Sequence, residues 1–180
     1  MGDSDTGAAY RIRDAAVGDA AALSEFAAAI FHESFGWGND PADMTAYVSA
    51  AYSPERQRRE IEDPSMVTLV AESAGKLIGF AQLARGPAPA CVSGPAPVEL
   101  KRFYLATSWH GRGVASALFE VVHARALAMG GRTLWLGVWA PNTRAIAFYR
   151  KAGFAEVGTQ VFQLGSDAQT DLVMSRSLHS

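Results

Sequence analysis

Two short segments of the chain hold residue types that can act together on a ligand. The first is Leu105-Ala106-Thr107-Ser108-Trp109-His110-Gly111-Arg112-Gly113-Val114-Ala115, which joins a strand-like stretch to an amphipathic helix through glycines spaced two apart. Glycine lets backbone amides approach a ligand closely. The start of a helix adds unpaired N–H groups and a partial positive charge, which together suit a pyrophosphate. Arg112 can bring a full charge to a further phosphate. The plainer reading is a tight strand-to-helix connection. The spacing also comes close to a dinucleotide fingerprint, with Ser116 where the third glycine belongs. That reading needs an acid closing the next strand to hold a ribose. The strand closes on Val138-Trp139-Ala140-Pro141-Asn142, so the dinucleotide reading fails.

The second segment runs from Asn142 to Phe154, NTRAIAFYRKAGF. Asn142 suits a helix N-cap and Gly153 a C-terminal glycine. Asn142, Ile146 and Tyr149 fall on one helical face. Taken alone, this is an amphipathic helix with a capping Asn and a packed aromatic pair. Other reactive residue types lack partners in the sequence. Cys91 is the single cysteine, in a Pro/Gly-rich loop with no neighbouring His, and reads as a spectator thiol. His32 and Glu33 end a helix, where a His complements the dipole. His123 reads as a boundary residue, and Trp135 and Trp139 as packing.

The elements that must position these segments follow from periodicity. Tyr10–Arg13 alternates as a strand, after an N-terminal arm (1–9) expected to be mobile. Asp19 stands where it would cap an Ala-rich helix from Ala20 to Phe31. Asp40-Pro41 and Ser53-Pro54 open two further helices. Met66–Ala71 and Leu77–Leu83 form a hairpin around Ser73-Ala74-Gly75. Residues 86–97 (GPAPACVSGPAP) are an irregular connection. Val98–Leu105 is a strand and Val114–Met129 a helix whose stripe is Val114, Ala117, Leu118, Val121 and Val122. Thr133–Val138 is a strand apolar on both faces, and Asn142–Lys151 a short helix. Strands over 155–164 and 170–178 close the chain. The expected fold is α/β: a mixed, mostly antiparallel sheet of about seven strands flanked by helices, one domain over 10–180.

Composition narrows the function. The chain has 180 residues, a net charge of −2 and 19% charged residues, which is globular and offers no footprint for nucleic acid. The basic run at Arg56, Arg58 and Arg59 is interleaved with Glu55, Glu60, Glu62 and Asp63, as on a solvated helix. One cysteine and four scattered histidines argue against a structural metal. Apolar runs are too short for a membrane span, and the N-terminus has no signal-peptide pattern, so the cytoplasm is the expected location.

Together, the glycine turn and N-x-x-A-x-x-F-Y-x-K-x-G-F resemble the GCN5-related N-acetyltransferase (GNAT) superfamily over roughly residues 66–164. One departure is His110, where the family usually has Gln or Arg ahead of Gly-x-Gly/Ala. The resemblance implies an acetyl-CoA site and no metal, with the pyrophosphate on His110, Gly111, Arg112, Gly113, Val114 and Ala115. It implies that the pantetheine arm pairs with Tyr104 and Leu105 as an added strand. It also implies that Asn142 touches the cofactor and that Tyr149 lies near the sulfur.

The chemistry implied is acetyl transfer to a primary amine through a ternary complex. An alkylamine of pKa near ~10.4 attacks only when neutral. Glu99 is the best-placed carboxylate to take its proton, although a solvated strand-start acid is an equal reading. The Leu105 N–H is the implied oxyanion donor. Tyr149, with an ordinary pKa near ~10, is the implied acid for a thiolate of roughly 8.5. The stretch from Phe31 to Tyr47 looks like a bacterial branch that includes polyamine N-acetyltransferases. It nominates Phe31, Glu33, Phe35 and Asp40 for the acceptor, with Asp43 beside them; the acids equally read as caps and solubilising residues. Rival readings are a non-catalytic acyl-CoA sensor, an enzyme for protein amino groups, and an interaction subunit. The last strands are candidates for pairing two copies as a homodimer.

Overall fold

A computed structural model describes residues 9–36 and 39–178; all but Ala9 of the expected arm over 1–9, together with Trp37-Gly38 and His179-Ser180, lies outside the described residues. In chain order the elements are β1 (Arg11–Asp14), α1 (Ala20–Phe35), α2 (Pro41–Tyr52), α3 (Pro54–Glu62), β2 (Met66–Ser73), β3 (Lys76–Arg85), β4 (Pro97–Leu105), α4 (Val114–Ala128), β5 (Thr133–Trp139), α5 (Thr143–Lys151), β6 (Ala155–Leu164) and β7 (Asp167–Ser177). The strands form one seven-stranded sheet in the order β1-β2-β3-β4-β5-β7-β6, with β4 and β5 its parallel pair. Among the described residues no helix is long and apolar enough to cross a membrane.

Local chemistry accounts for most element ends. Asp40 accepts from the Ala42 and Asp43 N–H groups ahead of Pro41, and Ser53 caps α3 through the Arg56 N–H. Asp19 differs from its expected role: its carboxylate takes the Ala16 N–H and the Arg13 guanidinium, and it closes a 3-10 turn over Val17–Asp19 instead of capping α1. Helix α1 continues to Phe35, a full turn past Phe31, where the Phe35 ring packs on Phe31 at 4.7 Å in the same core. β7 begins at Asp167, earlier than the sequence pattern suggests, since the Gly165-Ser166 turn pairs its hairpin from the first residue. β6 is an outer strand of the sheet, with Val161 exposed.

The sheet separates two cores. One face carries Leu69, Ala81, Leu83, Leu100, Leu134, Leu136 and Met174 against Leu118, Phe119 and Val122 of α4 and Ile146 and Tyr149 of α5. The other carries Val70, Phe80, Tyr104 and Leu164 against Leu23, Ala27, Ile30 and Phe31 of α1 and Met44 and Tyr52 of α2. In β4 the partner of Gln82 is Arg102 and that of Leu83 is Leu100, so Lys101 is an extra residue, a β-bulge. A one-residue shift exchanges the faces of all that follows. Val98 and Leu100 therefore point into the α4–α5 core, whereas Arg102 and Tyr104 point toward α1–α3.

The bulge sends Arg102, only 7% exposed, into contact with Glu60 of α3. Arg56 donates to Glu60 at 2.8 Å, Gln82 bridges Glu60 and Thr68 at 3.2 Å each, and the guanidinium lies 4.8 Å over the Tyr52 ring. Burial opposes ionisation of Glu60, yet these cations hold its carboxyl below the usual range. Removing one partner of a buried pair leaves the other charge uncompensated, at a cost of about 3 kcal/mol. Glu60→Gln is therefore expected to lower the free energy of urea unfolding at pH 7 by about that amount. A change below about 1 kcal/mol would show that α3 is not fastened to the sheet through this pair.

Candidate active site

The glycine turn follows β4 through a 3-10 turn at Thr107–Trp109. Gly111 and Gly113 have φ of +75° and +80°, and a Cβ added at either would meet nothing within 4 Å. The turn is thus left-handed and bare on its outer side. Ala117 N–H makes the first intrahelical bond, to Gly113 O at 3.0 Å, leaving the N–H groups of Val114, Ala115 and Ser116 without an intrahelical acceptor. Arg112 is exposed, with its guanidinium 5.4 Å over Trp109. His110 does more than present its backbone. One tautomer lets Nε2–H donate to Leu105 O at 3.0 Å while Nδ1 accepts from Arg144 at 2.9 Å. The imidazole ties the turn to the end of β4 and to the start of α5.

β4 and β5 pair over Pro97–Glu99 and Thr133–Trp135 only, although both strands continue. Beyond Glu99 they part, β4 staying with β3 and β5 with β7. The Ala106 N–H to Ile78 O bond at 2.8 Å sets the alternation of the β3–β4 ladder. In that alternation Tyr104 exchanges bonds with Phe80, while Phe103 and Leu105 turn their N–H and C=O groups toward the opening. The outward-facing backbone edge is therefore Phe103 and Leu105, not the expected Tyr104 and Leu105, because Tyr104 spends its backbone groups on β3. Tyr104 lends the opening its ring, which stacks on Phe80 at 5.5 Å.

Two adjoining cavities of about 260 and 270 Å³ occupy the opening, both lined by Phe35, Phe103, Tyr104, Asn142, Ala145 and Tyr149. The second reaches Leu105, His110, Gly111 and Ala115, on the glycine-turn side. Tyr149 is 8% exposed, packed among Phe103, Phe148 and Phe154, and burial pushes its hydroxyl well above the usual tyrosine range. It therefore stays protonated across the working pH range. Asn142 caps α5, its Oδ1 accepting from Ala145 N–H at 3.1 Å, while its amide N–H groups donate to no described residue. Cap and ligand contact are compatible in this one side chain.

The first cavity lies on the α1–α2 side and holds Phe31, Phe35, Tyr47, Glu99, Arg102 and Asp171. Phe31 and Phe35, nominated from the sequence pattern, both line it. Burial raises Glu99 above the usual carboxylate range, against the opposing pull of Lys101 and Arg102. Glu33 and Asp40 do not line this cavity. Glu33 accepts from Thr107, latching α1 to the turn after β4, and Asp40 caps α2. Asp43 is held by Ser166 at 2.7 Å. Each of these acids sits on a helix end or exposed flank, where a local donor takes it first. Cys91 packs beside Gly158, outside both cavities. No group of three His, Cys, Asp or Glu suited to a metal occurs among the described residues.

Asp171 was not among the residues nominated from sequence. Its only signal there is an acid leading the apolar strand run Leu172-Val173-Met174. It is 8% exposed, and burial pushes its carboxyl up to about 6 from the usual 3.8. A carboxyl raised on folding destabilises the fold fully above the folded value, and the penalty fades as pH falls toward about 4. The rise sets an upper bound of about 3 kcal/mol, reduced by solvent screening in the cavity. Asp171→Asn should accordingly raise the melting temperature by several degrees at pH 8, with the gain shrinking as pH falls to about 4. Scanning calorimetry across that range checks it, and a gain independent of pH would contradict it.

The arrangement has known counterparts. The profile of the Acetyltransferase (GNAT) family matches residues 27–154. An uncharacterized N-acetyltransferase of Mycobacterium tuberculosis is 38% identical over 138 residues, 77% of this chain and 84% of the relative. One from Lactobacillus delbrueckii subsp. lactis is 31% identical over 148 residues, 82% and 86% respectively. Among solved structures, the PaiA N-acetyltransferase of Thermoplasma acidophilum in complex with coenzyme A superposes with a TM-score of 0.73 at 21% identity, covering 94% of this chain and 99% of that one. YncA of Salmonella typhimurium, a putative acetyltransferase solved with acetyl-CoA, gives 0.65 at 20% identity and 95% of both chains. The mixed seven-stranded sheet, the parted strands and the extent of these matches lead to one conclusion: the chain belongs to the GNAT acetyltransferase family.

Proposed function

We propose that the protein transfers an acetyl group from acetyl-CoA to a primary amine of a small acceptor, both bound together in the opening between β4 and β5. The observation that carries this reading is the continuity of that opening. It runs from the bare glycine turn, past the backbone edge of Phe103 and Leu105 that β5 leaves unpaired, to a cavity on the α1–α2 side lined by Glu99.

The residues present fit acetyl-CoA. The N–H groups of Val114, Ala115 and Ser116, with Arg112 beside them, suit a pyrophosphate, and the left-handed glycines leave no Cβ in its way. Phe103 and Leu105 offer an extended amide-bearing arm the bonds of a neighbouring strand. The Asn142 amide is free to donate. When bound, acetyl-CoA supplies an activated acetyl thioester.

The chain's own groups then divide the work. Glu99, raised by its burial, takes the proton from an incoming ammonium so that the amine can attack. An N–H pointing from β4 into the opening, that of Leu105 or of its equivalent Phe103, holds negative charge growing on a carbonyl oxygen. His110 accompanies this by engaging the Leu105 carbonyl, which fixes the plane of the peptide behind it. Tyr149 keeps its proton until a thiolate leaves and gives it up there. No covalent enzyme intermediate is required.

Two variants test these assignments. The Tyr149 hydroxyl makes no hydrogen bond to a described residue, so Tyr149→Phe should fold normally. It should lower kcat by about 10- to 100-fold with acetyl-CoA affinity held within about twofold. Unchanged kcat removes Tyr149 from the acid role. Gly113→Trp places a bulky side chain at φ +80° over the phosphate cradle and should abolish calorimetric CoA binding. Retained affinity in a folded variant would overturn the assignment of the turn.

A further inference from the structure

The cavity on the α1–α2 side contains a carboxylate for which the transfer chemistry above has no use. Asp171 lies on β7 opposite Trp139 of β5 and Gln160 of β6, and it lines the same cavity as Glu99. The residue is 8% exposed and its carboxylate opens on the cavity, where it accepts no hydrogen bond and forms no ion pair with any described residue. A buried charge is normally paired. Glu60, the other deeply buried acid, is held by Arg102 and Arg56. The cations lining the cavity are committed elsewhere: Arg102 to Glu60 and Gln82, and Lys101 to Glu60 at 3.6 Å. Tyr47 faces Asp171 from α2, and burial raises its hydroxyl to about 12, so it stays neutral and offers no charge.

The backbone makes room for Asp171 on purpose-built terms. A Cβ at Gly137, the neighbouring β5 residue on that face, would stand 2.4 Å from Gln160 Nε2 and 3.2 Å from Asp171 Oδ2. Glycine there allows both side chains to reach across the floor of the cavity. The register also separates Asp171 from Glu99. Glu99 pairs with Trp135, Trp135 with Ser175, and Asp171 lies four residues further along β7. Two strand spacings and that length of strand put the two backbones roughly 16 Å apart. Two such short side chains cannot close that gap around one ammonium.

We propose that Asp171 is the anchor for a second, non-reacting cation of the acceptor, so that the acceptor class is a diamine or longer polycation whose reacting amine lies toward Glu99. This rests on the transferase reading and deepens it. The carboxylate, without a partner among the described residues, gains one from the substrate, and a monoamine leaves it unpaired. Asp171 thus sets specificity without entering proton transfer.

The test compares α,ω-diamines of four to eight carbons with monoamines of equal length, by thiol release from acetyl-CoA, in the wild type and in Asp171→Asn. The wild type should favour the best diamine by about tenfold or more in kcat/KM. In D171N the preference should collapse to about twofold, with monoamine kcat and calorimetric acetyl-CoA affinity unchanged. A preference retained in D171N overturns the proposal. Equal slowing of both amines also overturns it, because Asp171 would then act in proton transfer. Binding of a tetramethylated diamine, which accepts no acetyl group, gives a readout apart from turnover. It should bind the wild type more tightly than a dimethylated monoamine, and equal affinity overturns the proposal independently of D171N. A wild type that binds acetyl-CoA but favours monoamines, or acetylates neither class, sinks the diamine site alone. A wild type with no acetyl-CoA affinity sinks the transferase reading beneath it.

Discussion

The site exists because one strand pair in the sheet is left incomplete. β4 and β5 run parallel, joined through α4, and hydrogen-bond over three residues each before separating. Neither strand loses its other neighbour. β4 remains paired with β3 to Leu105, and β5 with β7 to Trp139. The unmet backbone groups are therefore confined to the opening, where a ligand can satisfy them. A fully zipped pair would leave no backbone edge at Phe103 and Leu105 and no passage between the two cavities. The bulge at Lys101 falls where the strands begin to part.

The same bulge divides labour between the two faces of the sheet. Behind it, Phe103 joins Phe119, Phe148 and Tyr149 in a packed aromatic cluster that leaves the Tyr149 hydroxyl buried and protonated. In front, Arg102 is turned toward α3 and held by Glu60, which fastens the helices that wall the α1–α2 cavity. Two buried acids then stand in contrast. Glu60 is surrounded by cations and supports the fold, whereas Asp171 has none and weakens it. Such local sacrifice of stability is characteristic of sites shaped for a ligand.

The sequence was legible where one short segment carries its own physics. The glycine turn, the Asp40, Ser53 and Asn142 caps and the stripe of α4 each depend on neighbours a few residues away, and all appear as expected. Glu33 and Asp40 illustrate the opposite case. Their charge suggested an acceptor site, but Thr107 and the α2 backbone take those carboxylates. Asp19 likewise answers to Arg13 and Glu72's neighbourhood rather than to the helix it precedes.

By itself, then, the sequence determined the order of strands and helices, the glycine turn ahead of α4 and the presence of Asn142 and Tyr149 on one helix, since these follow from spacing and local hydrogen bonding. Tertiary structure decided which strands part, which β4 residues face the opening and which acid lies unpaired in the cavity. Strand register is the physical reason. A single extra residue at Lys101 exchanges the two faces of β4, and residue types alone do not reveal where that residue falls. Asp171 owes its isolation to Trp139, Gly137 and Gln160, brought beside it by pairings that only the assembled sheet creates.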